Sequence, residues 1–323
     1  MTRQLPDELT PPRPRRRLEA RSTDGTRIAV EIHGAENAPT VVLAHGWTCR
    51  ATFWSPVVRR LRVDMRVVTY DQRGHGYSDR PRSAGIGPDA LADDMRAVLE
   101  QAVGPRRQTV VVGHSMGAMT LVALAGRHPD VLRRTVAAAL LASTGVDELV
   151  GRLDLVTLPG QLSGLVPDHV LRTVQFLTNG GLADARLLRS LPKALARSAV
   201  KHIALSATAT PAQTAFATDI IRSCPPETHH QFAKLLQRLD LSTSVPALTV
   251  PAMIVVGTAD RLTPPWHAHR LAEALPMGLG VIEVQDAGHL TPIQAPDTIT
   301  GAVHRLAEEY LPHPTDATNR AAG

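Results

Sequence analysis

The chain has 323 residues, of which 43% are hydrophobic and 20% charged, a globular balance that excludes disorder or a coiled coil over its bulk. Its formal charge of +5 rests on arginine, with lysine only at Lys193, Lys201 and Lys234. Such a skew is a compositional bias rather than a surface for an anionic polymer, and no basic stretch carries the interleaved aromatics of a nucleic-acid motif.

The first 17 residues, proline-rich and with Arg13, Arg15, Arg16 and Arg17 clustered, read as a solvated leader without the apolar stretch of a secretory signal. From Leu18 a hairpin is expected, Leu18 to Arg21 and Arg27 to His33, around Thr23-Asp24-Gly25. Short apolar runs follow at Thr40 to Ala44, Met65 to Tyr70, Thr109 to Val112, Thr135 to Ala142, Ala252 to Val256 and Gly280 to Val284. Runs of this kind are strands buried on both faces of a parallel sheet. Amphipathic helical stretches separate them, at Phe53 to Leu61, Asp89 to Val103, Ala118 to His128, Trp266 to Leu275 and Asp297 to Leu311. Repeated βα units predict an α/β protein with a doubly wound, mostly parallel sheet.

Residues 144–245 break the rhythm, with helical spacing of leucines and no strand pattern, and read as an inserted helical cap. The expected organisation is a leader over 1–17, a core over 18–143, the cap over 144–245, the second part of the core over 246–311, and a mobile tail over 312–323. No run of about 18 apolar residues suggests a membrane span. Cys49 and Cys224 lack metal-ligand spacing and fit a reducing compartment, so the cytoplasm is the expected location.

Gly113-His114-Ser115-Met116-Gly117 lies where an apolar strand run meets an apolar helix run, the context of a G-x-S-x-G nucleophile elbow. Glycines flanking the serine permit a strained backbone that lifts its hydroxyl out of the sheet. The amides that follow, at a helix N-terminus, face developing negative charge. Ser115 is therefore the candidate nucleophile.

A serine needs a base, and the base needs an acid to fix its tautomer. The loop Gln285-Asp286-Ala287-Gly288-His289 follows the last strand run and presents His289; Asp260 closes Val256-Gly257-Thr258-Ala259-Asp260 at the end of the run before it. Strand C-terminal ends are where sites assemble in open α/β sheets. Asp147 is the rival acid position, and Asp286 reads as structural. One oxyanion donor should be the amide of Met116, and the other the amide of Trp47 in His45-Gly46-Trp47-Thr48. The Trp47 indole is read as lining the acyl pocket, and His45 and His114 as structural.

With these motifs, and with Asp71-Gln72-Arg73-Gly74-His75-Gly76-Tyr77-Ser78-Asp79, the chain from about Leu18 to Leu311 resembles the capped, esterase/lipase-like branch of the α/β-hydrolase fold superfamily. The resemblance implies Ser115 as nucleophile, His289 as base, Asp260 as acid, and the Trp47 and Met116 amides as oxyanion donors. It departs after the histidine, where the family often has Glu-x-Pro and this chain has Gln294-Ala295-Pro296; that change should affect local packing only. A serine at the elbow argues against haloalkane dehalogenase and epoxide hydrolase chemistry, which uses aspartate there.

The expected activity is hydrolysis of a carboxylic ester of a small or medium apolar molecule, with Trp47, Leu158, Leu162, Phe176 and Phe216 as candidate pocket residues. The alternatives are a thioesterase, lactonase, C–C bond hydrolase or cofactor-free perhydrolase on the same triad, or a non-catalytic small-molecule receptor. No cofactor or metal is expected: His229-His230 and His267-Ala268-His269 lack matching ligands, and no glycine pattern fits a dinucleotide site.

Overall fold

The computed structural model describes residues 6–80, 85–104, 107–149 and 189–312. Its strands are β1 (Arg16–Arg21), β2 (Arg27–His33), β3 (Thr40–Ala44), β4 (Arg66–Tyr70), β5 (Thr109–His114), β6 (Val136–Ala142), β7 (Ala252–Gly257) and β8 (Gly278–Val284). They form one sheet in the order β1-β2-β4-β3-β5-β6-β7-β8. The β1–β2 and β2–β4 pairs are antiparallel, and every pair from β4 onward is parallel.

The described α-helices are α1 (Ser55–Leu61), α2 (Pro88–Val98), α3 (Met116–Arg127), α4 (Pro129–Thr135), α5 (Lys193–Ile203), α6 (Pro211–Ser223), α7 (Pro226–Leu236), α8 (Pro265–Ala274), α9 (Thr291–Gln294) and α10 (Pro296–Tyr310). Proline opens many of them, a position where its missing N–H costs nothing and its fixed φ suits the helix.

Side-chain alternation along the central strands divides the core in two. Val42, Ala44, Val68, Val111, Leu141 and Ile254 face one way and pack with Leu91 and Met95 of α2, Leu121 of α3 and Leu271 of α8. Val41, Leu43, Val67, Val110, Leu140 and Val255 face the other and pack with Val57 and Leu61 of α1 and Val303 and Leu306 of α10. A strand buried on both faces must be apolar at successive positions, which is why these runs read so clearly.

The amino-terminal boundary differs from the sequence-based expectation. Strand β1 starts at Arg16, and Asp7–Leu9 form a short 3-10 turn whose Leu9 is 1% exposed in the second core layer. Arg59 Nε donates to the Thr10 carbonyl at 2.9 Å, fastening this segment to α1. One buried leucine among prolines and charges leaves no periodicity to read. Helix α4 was also not expected; it occupies seven residues between α3 and β6.

Between β6 and β7 the regular elements among the described residues are helical, namely α5, α6, α7 and a 3-10 turn over Ser242–Ala247. Helix α6 starts with a capping box in which Thr210 and Gln213 each satisfy the other's amide. Of the candidate pocket residues, Leu158, Leu162 and Phe176 lie outside the described residues, and Phe216 on α6 is buried in the second core layer. No helix among the described residues is long and apolar enough to cross a membrane.

Candidate active site

Ser115 joins β5 to α3 with φ 51° and ψ −118°, a left-handed conformation that costs a non-glycine residue on the order of 1–3 kcal/mol. The surroundings enforce it. Its amide donates to the Ala142 carbonyl of β6 at 2.9 Å, and its carbonyl accepts from Thr144 Oγ1 at 3.1 Å. Close approach explains the two flanking glycines: a Cβ on Gly113 would lie 2.4 Å from Ala118 Cα, and one on Gly117 would lie 2.1 Å from the Ala44 carbonyl oxygen. Ser115 remains 9% exposed, and its hydroxyl makes no hydrogen bond to another described residue.

The loops after β7 and β8 bring Asp260 and His289 together. His289 Nδ1 donates to Asp260 Oδ2 at 2.9 Å and lies 3.1 Å from Oδ1. The carboxylate also accepts from the amides of Leu262 and Thr263, both at 2.9 Å, and from Thr263 Oγ1 at 3.0 Å. An acceptor so fully engaged fixes the proton of His289 on Nδ1 and leaves Nε2 as the basic nitrogen. Burial is nearly complete, with 4% of Asp260 and 6% of His289 exposed.

His114 ties this pair to the elbow. Its Nε2 donates to the His289 carbonyl at 3.0 Å, and the two rings lie 5.0 Å apart. Burial drives the His114 pKa well below the usual histidine value, and the neighbouring His289 pushes the same way. A neutral His114 therefore anchors the His289 loop without placing a second charge beside it. Gln294 clamps that loop from outside, accepting from the Gly288 amide at 2.9 Å and donating to Ser206 Oγ at 2.8 Å.

The loop after β3 packs against the elbow, since a Cβ on Gly46 would lie 3.2 Å from Ser115 Cβ. Two neutral histidines brace it. His45 Nε2 accepts from the Gln72 amide at 3.0 Å while Nδ1 donates to the Gly46 carbonyl at 2.7 Å. His75 Nε2 accepts from the Thr48 amide at 3.3 Å while Nδ1 donates to the Arg73 carbonyl at 3.0 Å. Burial lowers their pKa values to about 4 and about 3, respectively. Thr120 Oγ1 of α3 links Gln72 Oε1 to the Met116 carbonyl. The Met116 amide, first in α3, has no intrahelical acceptor, and the Trp47 amide is paired with no described group.

The Trp47 indole turns toward α7: its Nε1 donates to the His229 carbonyl at 3.2 Å, and the two rings lie 4.6 Å apart. Thr228 Oγ1 donates to the Gly74 carbonyl at 2.9 Å, adding a second tie between α7 and the loops around the elbow. Asp147 forms an ion pair with Arg270. The amide and carbonyl of Asp286 are bonded to Thr258 and Thr208.

Sequence reasoning assigned no positioning role to His75, Gln72, Thr120 or Thr263, and left His45 and His114 as merely structural. The one sequence signal for the first two was their place in the Asp71–Asp79 segment. Asp71 organises that segment, accepting from the Ala51 amide at 2.6 Å and the Tyr77 amide at 2.8 Å, while Arg73 is held by buried Asp94 at 2.6 Å and 2.7 Å.

Comparison with known proteins bears on the fold and the family of the chain. A 2-(acetamidomethylene)succinate hydrolase of Mesorhizobium japonicum is 32% identical over 118 residues, covering 36% of this chain and 41% of the relative. The chain thus spans less than half the length of that curated relative. An esterase of Thermogutta terrifontis superposes with a TM-score of 0.69 at 23% identity, over 91% of this chain and 98% of the other. The enol-lactonase of Burkholderia xenovorans LB400 gives 0.68 at 24% identity, over 90% and 99%. The profile described as alpha/beta hydrolase fold matches residues 39–296, from the start of β3 to the start of α10, and the chain belongs to that family.

Proposed function

We propose that this chain is a serine hydrolase that cleaves a carboxylic ester of a small to medium, apolar substrate through an acyl-enzyme. The observation that carries the reading is the buried His289–Asp260 pair, bonded at 2.9 Å and tethered through His114 to a serine held at φ 51°. In this reading His289 Nε2 removes the Ser115 proton as Oγ attacks the ester carbonyl. The oxyanion is held by the Met116 and Trp47 amides, each contributing about 3 kcal/mol to transition-state stabilisation. The imidazolium then protonates the leaving alcohol, and water attacks the acyl-enzyme with His289 again as base.

Residues 144–245 act as a cap that selects the acyl group, and the bonds from Trp47 and Gly74 to α7 support that placement. The partial match to a named hydrolase supports hydrolysis as the reaction class. The test is turnover of p-nitrophenyl esters from acetate to decanoate by the wild type and by Ser115→Ala. Wild-type hydrolysis that is lost in the variant, with rates rising along the chain-length series, is the expected result. Equal rates in both proteins would overturn the nucleophile, and flat rates along the series would overturn the apolar pocket.

A further inference from the structure

We propose that Gln294, Ser206 and Thr208 are positioning residues for His289, joined in a one-way ring of hydrogen bonds that only an amide side chain at 294 completes. The inference rests on the reading of His289 as the base, and it makes the connection between α5 and α6 part of that base's mounting. Four links run in sequence. The Gly288 amide donates to Gln294 Oε1 at 2.9 Å, and Gln294 Nε2 donates to Ser206 Oγ at 2.8 Å. Ser206 Oγ lies 2.8 Å from Thr208 Oγ1, and Thr208 Oγ1 donates to the Asp286 carbonyl at 2.9 Å. Asp286 and Gly288 both belong to the loop that presents His289, so the chain of side chains closes on the backbone where it began.

Proton counting gives the ring its direction. A carbonyl only accepts, so the Thr208 proton is committed to Asp286, and Thr208 Oγ1 accepts from Ser206. The single Ser206 proton is then committed as well, which leaves Ser206 Oγ to accept from the Gln294 amide nitrogen. The oxygen of the same amide faces a backbone N–H. Ionised glutamate at 294 has nearly the same shape but offers acceptors alone. It would draw the Ser206 proton to itself, and the two hydroxyl oxygens would face each other at 2.8 Å with no proton between them unless Thr208 released Asp286. One bond is lost in either case.

The loop so held needs holding. Asp286 has φ 56°, a left-handed conformation that persists in a non-glycine residue only where its neighbours enforce it. Its amide donates to Thr258 Oγ1 at 2.9 Å, and its carbonyl is held by Thr208. Gly288 is pressed against the same α5–α6 connection, since a Cβ there would lie 2.4 Å from the Leu205 carbonyl oxygen. Just past the histidine, the Leu290 amide donates to the Ala204 carbonyl at 3.0 Å. Residues 204–208 thus grip the chain on both sides of His289, and a shift of that connection carries the imidazole with it.

The test uses the full chain and two readouts, one of which needs no turnover. With isotopically labelled histidine, the Nδ1–H resonance of His289, identified by its absence from His289→Gln, reports how fast the proton shared with Asp260 exchanges with water. In parallel, kcat and KM are measured for p-nitrophenyl acetate. The variants are Gln294→Glu, Thr208→Val and Thr208→Ser; Thr208 is exposed, so its substitution keeps the fold. The expected result for Gln294→Glu and Thr208→Val is kcat lower by about tenfold, KM within about twofold and faster exchange of the His289 proton, with Thr208→Ser restoring the wild-type values. Together the two substitutions should cost little more than either alone, because the ring is already open. Unchanged exchange and kcat in Gln294→Glu, Thr208→Ser no better than Thr208→Val, or losses that multiply would each overturn the proposal. Absence of turnover in the wild type would refute the hydrolase reading, and the exchange rates would still decide whether the ring holds His289.

Discussion

Asp260 engages its carboxylate with three donors besides His289, and two of these come from Thr263. Asp260→Asn therefore keeps the shape of the loop but presents an amide where the imidazole needs an acceptor. Expected is a fall of about 10⁴ in kcat with the fold retained by circular dichroism, as for the equivalent change in a serine protease triad. Gln72→Leu tests the brace on the proposed oxyanion loop: it removes the bonds to His45 and Thr120 and should lower kcat more than it raises KM. A change in KM alone would show that the loop serves binding. Ser115, Asp260 and His289 were legible because each ends a strand run in a recognisable loop. Gln72, Thr120 and Thr263 act through bonds across space, and Thr120 looks like any polar residue inside a helix.

At the scale of elements, the central strands were the most legible part, because burial on both faces leaves little choice of residue. Short, interrupted pieces were not: α4 is about two turns between two apolar runs, and Leu9 anchors its segment alone. Two glycine substitutions in helices separate close packing from intrinsic preference. Gly117→Ala drives a methyl into the Ala44 carbonyl and should cost about 1–3 kcal/mol or more. Gly301→Ala on α10 meets nothing within 4 Å and should stabilise by about 0.5–1 kcal/mol. Urea midpoints moving in opposite directions would bear this out.

At the scale of the whole molecule, buried ionisable groups set the response to acid. His45 and His75 stay neutral in the fold down to about 4 and about 3 because they are buried, whereas the unfolded chain binds these protons near 6.5. The unfolded state therefore holds more protons, and stability falls as pH drops from about 6.5 toward 4, by on the order of 3 kcal/mol for His45 alone. Asp93 adds a second phase. Burial would raise its pKa, but hydrogen bonds from Arg127, His128 and Thr23 outweigh that effect and hold it at about 2. Its contribution is complete above about 4 and is lost toward pH 2. Denaturant midpoints across this range should show both phases, and Asp93→Asn should abolish the second.

Strand β7 pairs with β6 across the sheet, yet residues 143–251 separate them in the chain. Closing so long a loop carries an entropic cost that local contacts do not offset, so the sheet from β1 to β6 is expected to assemble first, with β7 and β8 docking late. Ser115 lies in the early part, and Asp260 and His289 both lie in the late one. During refolding, recovery of the proposed esterase turnover should therefore lag behind the fluorescence change of Trp54, buried in the early half. Coincident recovery would mean that the two halves fold as one.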